Sequence, residues 1–553
     1  MGTCGSPVLA LASQEDLHRK PRPYIPSIWG DFFLNHQPCT PSQLLSMKES
    51  ARVKQEEVRQ IILDTGAASS ELALKLELVD TLQRVGVDYH YKREIDEWLR
   101  DIHGAQHEEK GCDNELYVAS LRFYLLRKHG YNVSSADVFV KFRDDQGNFG
   151  SDDVKCLLAL YDAAHIRTHN EEILDSAMVF TKSRLQSKMK TLDPEMAKEV
   201  EYTLETPSYR RVQRVEARRY VSLYEKRATR NDAILEFAKL DYNILQALYC
   251  EELRALTLWW KGLPSQAYAR FARDRVAEMH FWMLGVVYEP HQSYSRIVLT
   301  KFLKLVSVMD DFCDNYSITE EYDIFISSLE RWDKQDADKL PAFMKAFFIF
   351  ILNTINDIVE ELKLQKNKHA ESVKELFIDM AKRYRAEEKW RDECYIPAKV
   401  KEHLQISVGS SACMHIVSVA FILMGNITTR EAIEWAFSYP EMIRAVCIVG
   451  RICNDIVSHE REQVSKHVVS TVQTCMKEYG ITVDEANGKL RAVIDEAWMD
   501  IVKGCLDQIH PMELLEKAVN VARVMDNMYK RDDAYTHPHS LKETIISVYV
   551  NSV

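Results

Sequence analysis

Glycine and proline are scarce in these 553 residues, 18 and 15 respectively, and no evenly spaced clusters of turn formers occur. An all-β sandwich or propeller depends on such clusters, so the composition favours helices. Basic charge is not in excess either: 71 Lys and Arg stand against 83 Asp and Glu, a net charge of −12. A general nucleic-acid binder needs a basic face that releases counterions, and that class is excluded. The one basic cluster, Arg210, Arg211, Arg214, Arg218 and Arg219, is interrupted by Val212, Val215 and Glu216 and reads as a solvated helical segment. The 12 cysteines are scattered from Cys4 to Cys505 without a C-x-x-C or paired Cys/His spacing. Neither a zinc site nor a disulfide framework follows, and reduced thiols in a cytosolic chain are expected. No apolar run reaches the roughly 18–20 residues of a membrane span. The strongest two, 413–425 and 346–352, fit buried helix. Glu15 and Asp16 precede the first basic pair, so neither a transit peptide nor a secretory leader is read. Met1-Gly2-Thr3-Cys4-Gly5-Ser6 fits a short acylation pattern of a kind common by chance. A soluble cytoplasmic chain is the expectation.

What is present is apolar surface, 46% of residues, and length enough for roughly three and a half typical domains. After an extended entry with Pro21, Pro23, Pro26 and Trp29, apolar residues recur at three and four over 56–63, 72–85, 95–102 and 116–129. Breaks are expected at 107–112 and at 144–153, which holds Gly147 and Gly150. Residues 207–231 are charged and weakly periodic, an interdomain crossing. Longer apolar helices are expected at 233–260, 269–286, 293–309, 341–364 and 373–389. No fixed-period repeat indicates a solenoid. The fold class is therefore all-α, with two helical domains at about 1–225 and 226–553 and no need of strands.

Chemistry concentrates in two places. Asp310-Asp311-Phe312-Cys313-Asp314 ends an apolar helix, and positions i and i+4 put Asp310 and Asp314 on one face. Clustered carboxylates repel unless cations neutralise them, and hard oxygen ligands select Mg²⁺ or Mn²⁺. Asn454, Ser458 and Glu462 repeat at i, i+4 and i+8 after a second apolar helix, a mixed oxygen set suited to one divalent ion. Two such stripes at apolar helix ends look like facing walls of one cavity.

These residues carry a resemblance, extending over nearly the whole chain, to the plant terpene synthases of the cytosolic sesquiterpene type. Asp310–Asp314 matches the family's DDxxD motif, and Asn454, Ser458 and Glu462 its second metal motif, NSE/DTE. Arg273-Asp274-Arg275 looks like the RxR element, and Arg19-Lys20 followed eight residues later by Trp29 like the R-R-x8-W element. The resemblance implies a C-terminal class I terpenoid synthase fold holding the active site, and a catalytically idle N-terminal helical domain whose first strand caps that site. It implies three Mg²⁺ ions, with Mn²⁺ a possible substitute, held by Asp310, Asp314, Asn454, Ser458 and Glu462, and supported by Asp311. It implies that Arg273, Arg275 and Arg451 receive a departing diphosphate. It also implies that Trp282 and Tyr535, the latter within Asp533-Ala534-Tyr535, close a pocket for the carbocation. Phe421 and Tyr529 are weaker candidates for that wall, Ser411, Ala412 and Cys413 match a helix break facing the cavity, and His415 reads as core.

No D-x-D-D run is present in the N-terminal part, so ionisation rather than protonation is the supported route. Lys20 in place of a second arginine leans away from geranyl diphosphate, and Asn454 in place of the aspartate of many relatives removes one charge. The expected function is a Mg²⁺-dependent lyase that ionises farnesyl diphosphate and cyclises or quenches the cation to a C15 olefin or alcohol. A monomer without stable membrane span is expected. The alternatives are a monoterpene synthase using geranyl diphosphate, or an inactive helical paralogue. A chain-elongating prenyltransferase would carry two aspartate-rich motifs on a chain about half as long.

Overall fold

Side-chain chemistry sets the helix boundaries. Asn231 Oδ1 accepts from the backbone N–H of Ala233 and Ile234 at 3.0 and 3.2 Å and starts the helix Asp232–Trp260. Thr482 and Glu485 form a reciprocal capping box at the head of Val483–Asp507. Gly480, at φ +66°, ends Thr471–Tyr479 in the left-handed conformation that glycine tolerates best. The structure is a computed structural model that describes residues 24–67, 72–105, 115–264, 272–315, 318–463 and 468–553, with the backbone alone at 314 and 315. Among the described residues there is no β-strand, and an isolated bridge joins Arg143 to Phe149.

The chain is all-α, as its periodicity predicts. Pro41–Ala67, Leu72–Arg84, Lys92–Gly104 and Leu116–Lys128 contain the four expected N-terminal helices. Asp232–Trp260, Ser293–Asn315, Ala342–Leu364 and Ser372–Asp392 correspond to four of the five later ones. The remaining one starts at Val276 instead of 269, because residues 272–275 run as non-helical chain against the Ser293–Asn315 helix.

Residues 207–231 differ from expectation. They hold the helix Gln213–Tyr224, which buries Arg214, Glu216, Ala217, Tyr220, Val221 and Tyr224. The basic cluster is accordingly not a solvated face: Arg211 and Arg214 are 4% and 1% exposed. Glu216 and Glu199 neutralise Arg84, Arg211 and Arg219, while the Arg214 guanidinium lies 4.3 Å from the centre of the Tyr242 ring. Paired charges and stacked guanidinium planes allow burial that periodicity alone does not signal.

Contacts across residue 225 are extensive. Pro41–Ala67 packs along Asp232–Trp260, Tyr89 Oη donates to Asp241 at 2.6 Å, and Arg210 pairs with Asp495 at 2.8 Å. Arg523 donates from Nε to the Tyr209 carbonyl at 2.7 Å. Among the described residues Ala342–Leu364 is long and apolar enough to cross a membrane, and the bent pair Val400–Ser410 and Cys413–Leu423 is so only when taken as one span. In Ala342–Leu364 the apolar residues Met344, Phe347, Phe348, Ile351, Leu352, Ile355, Ile358, Val359 and Leu362 are buried, giving the one-sided stripe of a core helix. The N-terminal acylation pattern and Arg19-Lys20 lie outside the described residues.

Candidate active site

Four helices and a break between two further helices supply much of the lining of one cavity of about 160 Å³. Met279, Trp282, Met283 and Val286 come from Val276–Val286, and Leu303, Val306, Ser307 and Asp310 from Ser293–Asn315. Both sets follow i, i+3, i+4, i+7, the repeat that keeps side chains on one face. Gly450, Arg451, Asn454, Asp455 and Glu462 come from Glu441–Glu462, and Val521, Val524 and Met525 from Met512–Met528. The break lies between Val400–Ser410 and Cys413–Leu423, where Ala412 takes φ +60° and lines the cavity with Ser410 and Ser411. Close approach shapes this wall. A Cβ on Gly450 would sit 2.6 Å from Cys413 Sγ, so glycine alone lets the break lie against the Glu441–Glu462 helix.

Asp310 and the pair Asn454 and Glu462 therefore face a common space from two helices. Ser458 is fully buried between them in sequence, and its Oγ has no hydrogen-bond partner among the described residues. An orphaned buried hydroxyl is costly unless something binds it, so this donor set of carboxylates, an amide and a hydroxyl fits a hard divalent cation. The backbone of Asp314 lies on the Asp310 helix, one turn on; its side chain is outside the described residues.

Cationic side chains rest on these acids. Arg273 Nη2 lies 2.6 Å from Asp311 Oδ1 and 3.3 Å from Asp310 Oδ2, and its Nη1 donates to Thr536 Oγ1 at 2.9 Å. Arg451 donates from Nε to the Ser407 carbonyl at 3.2 Å and from Nη2 to Ser410 Oγ at 2.8 Å. It also pairs with Glu387 at 3.3 Å and Asp455 at 3.6 Å. Burial works against its charge, but the carboxylates of Glu387 and Asp455 hold its pKa above the usual arginine value. Arg275 is placed differently: it is fully buried and does not line the cavity. Its guanidinium donates to the carbonyls of Asp274, Tyr535, Thr536 and Ile25 at 2.8, 2.9, 3.3 and 2.8 Å. It thereby ties the entry segment to the Tyr535 loop.

The aromatic wall is continuous. The Trp282 ring centre lies 5.9 Å from those of both Tyr529 and Tyr535, and the Arg273 guanidinium 4.3 Å from the Tyr535 ring. Tyr535 Oη is hydrogen bonded to Ser307 Oγ. Asp533, 2% exposed, accepts from the Thr536 N–H at 3.0 Å and from Arg461 at 2.8 Å, which holds the loop to the Asn454 helix. Phe421 and His415 are fully buried and do not line the cavity; His415 Nε2 is 2.9 Å from Asp379. Trp29 donates from Nε1 to Glu278 at 3.0 Å, and Tyr24 reaches the cavity itself, so the extended entry does pack against this end.

Sequence reasoning did not single out Glu387, Tyr384, Ser307, Arg461 or Lys304. None of them belongs to a ligand spacing of its own, and helix packing brings Glu387, Tyr384, Ser307 and Arg461 to the cavity. Lys304 is fully buried, and burial pulls its ammonium pKa down to about 8.

Comparison with known proteins agrees with this geometry. The terpene synthase N-terminal domain matches over residues 28–204, and the metal binding domain of the terpene synthase family over residues 262–500. The chain is 51% identical over 548 residues to an (E)-beta-caryophyllene synthase of Zea mays, covering 99% of this chain and 98% of that one. It is 42% identical over 530 residues to a zingiberene synthase of Sorghum bicolor, covering 96% of each. Among solved structures, isoprene synthase from grey poplar leaves, in complex with three Mg²⁺ ions and dimethylallyl-S-thiolodiphosphate, superposes with TM-score 0.84 at 30% identity over 95% of this chain and 99% of that one. Limonene synthase with 2-fluorolinalyl diphosphate gives TM-score 0.88 at 27% identity over 96% and 99%. With both domain models matched and a relative 51% identical over 99% of this sequence, the chain belongs to the terpene synthase family.

Proposed function

We propose that this terpene synthase is a sesquiterpene synthase that ionises farnesyl diphosphate and releases a C15 olefin or alcohol together with diphosphate. The observation that carries the reading is the shared cavity, whose lining joins the polar side chains of Asp310, Asn454, Glu462, Arg273 and Arg451 with Trp282, Tyr529 and apolar side chains. The fifteen-carbon substrate is favoured by the relatives, whose printed names refer to (E)-beta-caryophyllene, zingiberene and (E)-beta-farnesene, all C15 terpenes.

Asp310, Asp314, Asn454, Ser458 and Glu462 would hold divalent ions, three Mg²⁺ with Mn²⁺ as a substitute. Such ions supply Lewis-acid neutralisation of the leaving group. The chain's own residues do the rest. Arg273 and Arg451 present charge-assisted donors that remain ionised in the cavity. Arg273 rests on Asp311 and Asp310, and Arg451 on Glu387 and Asp455, and these carboxylates hold both guanidinium groups at the cavity. The C–O bond breaks with its electron pair on diphosphate, leaving an allylic cation. Trp282, Tyr529 and Tyr535 face that cation with π surfaces, and the surrounding valines and methionines keep water away. Arg275 and Asp533 act by holding the Tyr535 loop over the site.

The division at about residue 225 into an idle N-terminal domain and a catalytic domain, cytoplasmic location and a monomeric state belong to the same proposal. The N-terminal and metal binding domain matches, over residues 28–204 and 262–500, support the division.

Purified full-length chain incubated with farnesyl diphosphate, with and without Mg²⁺, and read by gas chromatography tests the function. A Mg²⁺-dependent C15 product is expected. Product from geranyl diphosphate alone would make this a monoterpene synthase, and silence with both would make it an inactive paralogue.

A further inference from the structure

Lys304 is a buried charge that the reaction, as described, does not use. It sits on the Ser293–Asn315 helix among Phe302, Leu303, Leu305 and Val306, and none of its side chain reaches solvent. A lysine in such a place costs free energy unless its ammonium is paired. Its hydrogen bond goes to the backbone carbonyl of Arg273, and its charge lies 4.4 Å from the centre of the Trp260 ring. Two turns further along the same helix, Asp311 Oδ2 accepts from the backbone N–H of Arg273 at 2.8 Å. Residue 273 is non-helical, so its own N–H and C=O have no helical partners, and one helix supplies both.

We propose that Lys304 is a positioning residue. With Asp311 it clamps the backbone of Arg273 at both its donor and its acceptor and so sets where the Arg273 guanidinium stands for diphosphate. The inference rests on the assignment of Arg273 to the diphosphate. The clamp is rigid because both anchors, seven residues apart, lie on one face of the helix, about a quarter-turn round from Asp310. The metal stripe and the diphosphate-binding arginine are thereby registered to one element. Without the ammonium, the Arg273 carbonyl loses its donor, and the backbone of the residue is held by Asp311 at its N–H alone.

The test is inhibition by inorganic diphosphate in the presence of Mg²⁺, measured on the full chain for Lys304→Met, Arg273→Ala and the double variant. Methionine keeps the apolar stem against Trp260 and removes the donor. Lys304→Met is expected to raise the inhibition constant about tenfold, the loss of one charged hydrogen bond's positioning. Arg273→Ala is expected to raise it at least as much, and the double variant no further than Arg273→Ala, because Lys304 acts through Arg273. Lys304→Gln, which keeps an N–H donor, is expected to recover part of the effect, and it carries the test if Lys304→Met does not fold. Additive effects, or a Lys304→Met inhibition constant within about twofold of the parent while thermal stability falls, would make Lys304 a packing residue and overturn the proposal. An unchanged constant in Arg273→Ala alone would instead overturn the assignment of Arg273.

Discussion

Replacing Trp282 with leucine separates the cation-stabilising role of its ring from simple wall-building. Its indole is 5% exposed, lines the cavity and stands 5.9 Å from the centres of Tyr529 and Tyr535. A desolvated cation over such a face gains about 2 kcal/mol. At 1.36 kcal/mol per tenfold in rate, kcat for farnesyl diphosphate falls about 30-fold in Trp282→Leu. Trp282→Phe retains a π face and loses about fivefold or less. Leucine also leaves a gap in the wall, so the cation folds differently and the product ratio shifts. The packing loss of about 2 kcal/mol lowers the melting temperature by a few degrees and leaves the chain folded at 25 °C. Gas chromatography of products, with single-turnover rates, reads both effects. A Trp282→Leu variant with kcat within about threefold of the parent and an unchanged product profile would refute the reasoning and return Trp282 to the packed core.

Asp310→Ala is expected to cut turnover about a thousandfold with far-UV circular dichroism unchanged, since it removes a metal carboxylate worth several kcal/mol at the transition state. Cys313→Ala, on the same helix but turned into the core, keeps activity, and equal losses in the two would dissolve the metal assignment. Ser458→Ala removes a hydroxyl that no described residue uses, so thermal stability stays level, while the Mg²⁺ concentration for half-maximal rate rises at least about tenfold. The Glu252 carboxyl, accepting from Arg296 at 2.6 and 2.9 Å and facing His280 Nε2 at 2.8 Å, has its pKa raised by burial but brought down to about 2 by these partners. Its contribution to stability is therefore complete above the unfolded carboxyl pKa of about 4.3 and is lost as pH falls toward 2. Denaturation midpoints between pH 6 and 3 are expected to fall less steeply for Glu252→Gln than for the parent.

The all-α fold class and the spacing of the two oxygen-bearing stripes follow from the sequence alone. Apolar spacing of three and four, few glycines and prolines, and i, i+4 ligand spacing are local properties, since a helix turns side chains onto a face irrespective of what it packs against. Asp310, Asn454, Ser458 and Glu462 were picked out for that reason, and the structure brings Asp310, Asn454 and Glu462 to one cavity. Tertiary structure alone decided the rest. Arg273 and Arg275 are two residues apart and equal in sequence, yet one guanidinium meets Asp310 and Asp311 while the other is enclosed by four backbone carbonyls. Whether a charge is solvated or buried depends on partners far along the chain. Arg211 and Arg214 look exposed by periodicity and are buried through Glu216 and Tyr242. Lys304 interrupts an apolar stripe and finds the Arg273 carbonyl 31 residues away. Periodicity reports which face a residue is on; electrostatic satisfaction is settled only when distant segments meet.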